Sequence, residues 1–226
     1  MIVPSAVTEA DRGFARALAA DSIARGDATG WFERLYACAD EGTATVPWAD
    51  FAPYPRLVSA LEREVGTGRA LVVGCGLGDD AEHVASRGFA TVAFDVSPTA
   101  IAVARRRFPQ STVDYVTADL VSPPTSWRGA FDLVVEIFTL QVLAGTARRR
   151  AIAQLAGTVA PAGRLLVVAG ARDEHEPPGA MPWPLTRAEI DSFHDHGLTA
   201  QLVADVVDDE PSGPVRRWQA WFTAAG

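Results

Sequence analysis

Lysine and asparagine are both missing from this chain of 226 residues, and all 20 of its cationic side chains are arginine. Without lysine there is no Schiff base, no Walker-A phosphate loop and no lysine general base. Without asparagine there is no Cys-His-Asn nucleophilic site. Cysteine is scarce as well: Cys38 and Cys75 are too few for a disulfide framework and lack metal-ligand spacing, which favours a reducing, cytoplasmic setting. No run of 18 apolar residues occurs, so no membrane span is expected, and the start of the chain lacks the pattern of a signal peptide. Basic charge is in deficit, with 28 acidic side chains giving a net charge of −8, which argues against nucleic-acid and anionic-membrane partners.

What is present is ordinary globular material, 48% apolar with 19 glycines and 15 prolines, long enough for one sizeable core. The pattern predicts one domain over 1–226. A helical and aromatic front segment occupies 1–65, with helices over Ala15–Ile23 and Pro55–Val65 and an aromatic, proline-containing stretch from Trp31 to Tyr54 between them. An α/β core follows over 69–226. Its expected strands are Leu71–Val73, Thr91–Phe94, Val113–Val116, Phe131–Ile137 and Leu165–Ala169, alternating with helical patterns. Ser97-Pro98 and the capping box Thr186-x-x-Glu189 mark helix starts. Such alternation implies a doubly wound, mostly parallel sheet. Two more candidate strands, Thr199–Val207 and Arg216–Thr223, suit an antiparallel hairpin at its edge.

The strongest local signal is the run Leu71-Val-Val-Gly74-Cys75-Gly76-Leu77-Gly78-Asp79, a strand entering alternating glycines and then a helix. Glycine permits positive φ and close approach of a ligand to the backbone, and the helix start offers free N–H groups. The spacing is G-x-G-x-G, not the dinucleotide G-x-G-x-x-G. Asp95 ends the second strand, 17 residues after Gly78, where a carboxylate accepts from both ribose hydroxyls of an adenosine ligand. Asp119 follows the third strand and suits an exocyclic amine, and Glu136 ends the fourth. An NAD(P)-dependent oxidoreductase would also place an acid at the second strand end but is disfavoured by the G-x-G-x-G spacing and by Asp119, while a non-enzymatic cofactor-binding protein, against which the dense front aromatics argue, stands as a third reading.

Together the GCGLG turn, Asp95, Asp119-Leu120, the FDLVVE strand and Pro161-Ala-Gly163 resemble the class I S-adenosylmethionine-dependent methyltransferases. The front segment, Gly30-Trp31-Phe32-Glu-Arg-Leu-Tyr36 with Val46-Pro47-Trp48-Ala-Asp50, resembles the thiopurine and thiol-halide methyltransferase superfamily. The resemblance implies a seven-stranded sheet with a reversed final hairpin under an N-terminal helical lid. It implies S-adenosylmethionine as cofactor, with S-adenosylhomocysteine as product, held by Gly74, Cys75, Gly76, Gly78, Asp95, Val96, Asp119, Leu120 and Glu136. Trp31 (or Phe32), Tyr36 and Trp48 would pack near its sulfonium end.

A displacement from a sulfonium needs no covalent enzyme intermediate, and no metal site is expected. The expected acceptor is a small molecule with a soft nucleophile: a thiol, a heteroaromatic nitrogen or a halide. O- or N-methylation of a secondary metabolite is the alternative. Gln141 is the candidate acceptor-facing residue, with Glu136 or Asp50 as a base where one is needed. The runs Arg105–Arg107 and Arg148–Arg150 are expected to be solvated helix faces, and the protein to be a monomer or homodimer.

Overall fold

The computed structural model describes residues 2–4, 6–64, 66–210 and 213–226. Seven strands form one mixed sheet: β1 (Arg69–Val73), β2 (Ala90–Asp95), β3 (Asp114–Thr117), β4 (Phe131–Ile137), β5 (Val159–Gly170), β6 (Leu198–Glu210) and β7 (Gly213–Ala224). Their order across the sheet is β3-β2-β1-β4-β5-β7-β6. The pairs β2/β3, β1/β4 and β4/β5 are parallel, and β5/β7 and β6/β7 are antiparallel. This is the Rossmann-like methyltransferase arrangement with a reversed C-terminal hairpin.

The helices are α1 (Glu9–Ala24), α2 (Gly30–Asp40), α3 (Pro55–Ala60), α4 (Asp79–Ser86), α5 (Pro98–Arg107), α6 (Gly145–Thr158) and α7 (Arg187–Asp191). α1 is longer than its apolar stretch suggested, because Thr8 and Asp11 form a capping box that starts it six residues earlier, at Glu9 instead of Ala15. α2 was not foreseen as a helix: Thr29 makes no side-chain cap, and Asp27 accepts from the Thr29 and Gly30 amides in its place. α3 is shorter than expected, ending at Ala60, and Val65 lies outside the described residues.

Two compact units emerge from the packing, each discontinuous in sequence: 1–67 with 74–119, and 68–73 with 120–226. The front segment thus groups with the glycine turn, β2, α5 and β3. In this unit Glu33 of α2 reaches Ser97 and Thr99 at the start of α5, while Asp40 at the other end of α2 takes both oxygens to Arg106. In the second unit, Leu133–Val135 and Leu165–Ala169 are buried without alternation, as expected of parallel strands covered on both faces. β5 begins earlier than the apolar run Leu165–Ala169 because Val159 still pairs with Phe131 across a register shift. The hairpin is laced by the ion pairs Arg216–Asp205 and Arg217–Glu210. Among the described residues, no helix is long and apolar enough to cross a membrane.

Candidate cofactor site

The glycine turn leaves β1 at Val73 and delivers the chain to α4, whose N-cap is Gly78. Gly74, Gly76 and Gly78 have φ of 58°, 51° and 97°, the left-handed region where side chains are strained. The turn is held from within: the Cys75 amide donates to the Phe94 carbonyl at 2.8 Å, and the Gly78 amide to the Cys75 carbonyl at 2.9 Å. It is also walled. A Cβ at Gly76 would lie 3.0 Å from the Tyr36 hydroxyl, and one at Gly78 only 2.5 Å from the Tyr115 hydroxyl. Cys75 is buried, and burial pushes its thiol well above the usual range, so it is a small packing residue here.

Asp95, at the end of β2, is buried, and one oxygen accepts from the Gly76 amide at 3.0 Å and the other from the Ser97 amide at 2.9 Å. Burial pushes its carboxyl up to about 6 against the pull of those N–H groups. It therefore ties the glycine turn to the start of α5 while keeping lone pairs for a further donor. Val96 and Asp119 are half-buried beside the ends of β2 and β3, and Leu120 is buried in the second unit.

The aromatic residues expected at the front come together in the first unit. Trp31 stacks on Phe32 at 3.8 Å between centroids, and Trp48 meets both edge-on at 5.9 Å. The Trp48 indole donates to the Tyr36 hydroxyl at 3.0 Å, the same hydroxyl that faces Gly76. Trp31 is fully buried, and its indole N–H has no hydrogen-bond partner among the described residues. Burial raises the Tyr36 phenol, so it stays protonated. Asp50 is exposed; its neighbour Asp80 accepts from the Tyr54 amide at 2.7 Å and is pushed up to about 6 by burial.

Glu136 and Gln141 belong to the second unit. Glu136 pairs in register with Val73, the last residue before the glycine turn. It is fully buried: Oε1 accepts from the Thr139 and Leu140 amides at 2.7 and 2.9 Å, and Oε2 has no hydrogen-bond partner among the described residues. Burial pushes the carboxyl up to about 7. The Gln141 carboxamide oxygen is committed to the Gly170 amide at 2.7 Å, and its carbonyl accepts from the Trp183 amide at 2.7 Å.

The structure corrects the expectation of solvated arginine faces at Arg148, and in part at Arg107, while Arg105, Arg106, Arg149 and Arg150 are exposed. Arg148 is buried: its Nε donates to the Leu140 and Leu143 carbonyls, and its other nitrogens reach the Trp183 carbonyl and Glu189. The spacing Arg148, Ala151, Ile152, Leu155 puts it on the buried face of α6, a signal already present in the sequence. The half-buried Arg107 binds Asp79 and the Leu77 carbonyl at the glycine turn, while the exposed Arg105 donates to the Tyr115 carbonyl and the exposed Arg106 pairs with Asp40.

Residues 70–163 match the Methyltransferase domain family. Over that segment the chain carries a methyltransferase domain. Among its relatives, a 2-heptyl-1-hydroxyquinolin-4(1H)-one methyltransferase of Mycobacteroides abscessus is 25% identical over 65% of this chain and 66% of its own length. An uncharacterized methyltransferase of Mycobacterium tuberculosis is 33% identical over 54% of this chain and 60% of its own. The matches thus span less than two thirds of either relative. The fold of the methyltransferase domain is shared with N-methyltransferase NodS of Bradyrhizobium japonicum, solved in complex with S-adenosylhomocysteine. That likeness has a TM-score of 0.66 at 22% identity, over 86% of this chain and 100% of that one. The residues of the domain fit such a cofactor. In the first unit the turn is built from backbone that side chains would block, and the buried Trp31 Nε1 has no hydrogen-bond partner among the described residues.

Proposed function

We propose that this chain methylates a small molecule at a soft nucleophile, a thiol, heteroaromatic nitrogen or halide, by direct in-line transfer. The observation that carries the reading is the closed first-unit constellation of Gly76, Asp95 and Tyr36 around a turn of left-handed glycines. When bound, S-adenosylmethionine supplies an electrophilic methyl group on a sulfonium centre. Asp95 would accept from the ribose hydroxyls and Asp119 from the exocyclic amine, with Val96 beside Asp95. Amides of the Gly74–Gly78 turn and the start of α4 would hold the methionine end, an arrangement suited to its carboxylate. The aromatic faces of Trp31, Tyr36 and Trp48 suit a sulfonium as they suit an ammonium. Alignment of donor and acceptor is worth roughly 7–11 kcal/mol, enough to dispense with a covalent intermediate. The front segment shares its aromatic pattern with the thiopurine and thiol-halide methyltransferases, which supports the soft acceptor. We place the protein in the cytoplasm as a monomer or homodimer, without nucleic-acid partners, in keeping with its free thiols and net charge of −8.

One observation favours a second reading, O- or N-methylation of a secondary metabolite. Glu136 carries a bare oxygen on a carboxyl raised to about 7, as a base would for an acceptor that must lose a proton. The hydroxyquinolone named for the mycobacterial relative is an acceptor of that kind. An assay of S-adenosylhomocysteine release over thiols, halides, heteroaromatic amines and hydroxy-heteroaromatics separates the two readings. Turnover only on the last group supports the second, and turnover on none, with S-adenosylhomocysteine bound, refutes an enzymatic role. Binding of NADH without S-adenosylhomocysteine would refute both.

A further inference from the structure

We propose that Glu33 is a positioning residue for the cofactor, coupling Asp95 to the aromatic helix α2 through Ser97. The inference rests on the S-adenosylmethionine reading above. Glu33 is anchored at both oxygens. Oε2 accepts from the Ser97 hydroxyl at 2.6 Å and the Thr99 amide at 3.1 Å, and Oε1 from the Thr99 hydroxyl at 2.6 Å. Ser97 is the joint. Its amide donates to Asp95 at 2.9 Å, while its hydroxyl accepts from the Ala100 amide at 3.0 Å and donates to Glu33. Asp95 in turn holds the Gly76 amide at 3.0 Å, and Gly76 faces the hydroxyl of Tyr36, one turn along α2 from Glu33.

The path is therefore a closed ring within one unit: α2, Ser97, Asp95, the glycine turn, and α2 again. An ordinary helix cap would come from the residue next to the helix. This one comes from 64 positions away, and α5 already has its own cap in Ser97. The carboxylate of Glu33 satisfies first-turn donors of α5 and sits where the helix dipole favours an anion. Charge-assisted bonds of this kind fix geometry more firmly than neutral ones. Because Trp31, Phe32 and Tyr36 ride on α2, the same carboxylate sets where the aromatic wall stands relative to Asp95 and the turn.

The coupling is also electrostatic. The ionisable groups acting on Asp95 are Glu33 and Tyr36 from α2 and the Cys75 thiol from the turn, and of these Glu33 is the one charged at neutral pH. Its negative charge makes ionisation of Asp95 harder.

Calorimetric titration of the full chain with S-adenosylhomocysteine, across pH 5 to 8, tests this. Glu33→Ala is expected to weaken binding at neutral pH by about tenfold, the scale of a lost charge-assisted bond. Glu33→Gln removes the charge with little change of shape. It is expected to move the acid limb of binding to lower pH, since Asp95 then protonates less readily. Arg106→Ala removes the ion pair with Asp40 at the opposite end of α2 and is the control, expected to leave affinity within about twofold. A Glu33→Ala protein that binds like the wild type, or a Glu33→Gln protein with an unmoved acid limb, overturns the proposal. If Glu33→Ala does not fold, the Glu33→Gln limb decides. Failure of the unmodified chain to bind would instead strike the cofactor reading, a result separable from either variant.

Discussion

The Tyr36 hydroxyl stands where a side chain on Gly76 would begin, 3.0 Å from an ideal Cβ, and it is held there by the Trp48 indole. Gly76→Ala therefore meets two obstacles, a φ of 51° and a fixed phenol. A left-handed alanine costs about 1–2 kcal/mol before any contact is counted. Adding Tyr36→Phe removes the contact but not the strain, so the double variant should recover part of the lost stability. Gly78→Ala should be worse, with φ at 97° and a Tyr115 hydroxyl at 2.5 Å. Urea denaturation of the three variants checks the ranking, and a Gly76→Ala protein as stable as the parent would contradict it.

Glu136 gives a pH signature. Its carboxyl ionises at about 7 in the folded chain against an ordinary 4.5, because burial disfavours the anion. A group raised in this way helps the folded state fully below its unfolded value, and that help is lost as pH rises through the folded one. Above pH 7 the anion is thus a net burden on the free protein. Glu136→Gln should raise stability at pH 8 by roughly 1–3 kcal/mol, since Oε1 keeps its two amide donors, and the gain should shrink towards pH 5. Thermal melts at both pH values measure this. The same variant should lose turnover, and an equal melting gain at pH 5 and pH 8 would show that the charge is not the cause.

Much of this was legible because it is local. β4 was readable residue for residue, since its centre, Leu133–Val135, is the unbroken apolar run of a strand covered on both faces. The glycine turn, Asp95 and the Ser97 cap were likewise fixed by short-range chemistry. What escaped was non-local. α2 starts without its own side-chain cap and is steadied by Glu33 and Asp40, whose partners lie on α5. The arginine triplets read as solvated charge because no capping or turn signal shows that Arg148 faces carbonyls of two separate segments, the loop after β4 and Trp183. Only its place in the buried spacing of α6 pointed inward.

Arg148 should therefore behave as a core residue. Its side chain is 5% exposed, and it joins the loop after β4, the Trp183 segment and Glu189 of α7. Arg148→Met deletes every one of these bonds and strands buried carbonyls, which is expected to cost about 3–5 kcal/mol. Arg148→Lys keeps the charge but not the planar fork, so it should fall between. Arg149→Met and Arg150→Met, at exposed positions of the same triplet, should stay within about 0.5 kcal/mol of the parent. Chemical denaturation of the series distinguishes a buried clamp from a solvated face, and equal effects along the triplet would rule out the clamp.

Gln141 carries two separable loads. Its carboxamide oxygen holds the Gly170 amide at the end of β5, and the residue's carbonyl holds Trp183. Gln141→Ala should cost about 1–2 kcal/mol from the lost side-chain bond alone, so a fall in activity would not by itself prove contact with the acceptor. Gln141→Glu resolves the ambiguity. A carboxylate oxygen still accepts from Gly170, so stability should stay near that of the parent, while the amide nitrogen is gone. If that nitrogen faces the acceptor, kcat/KM should drop by tenfold or more at unchanged affinity for S-adenosylhomocysteine. A Gln141→Glu enzyme with parental kcat/KM on its preferred acceptor would leave Gln141 with a purely architectural part, bracing β5 against the loop that carries Trp183.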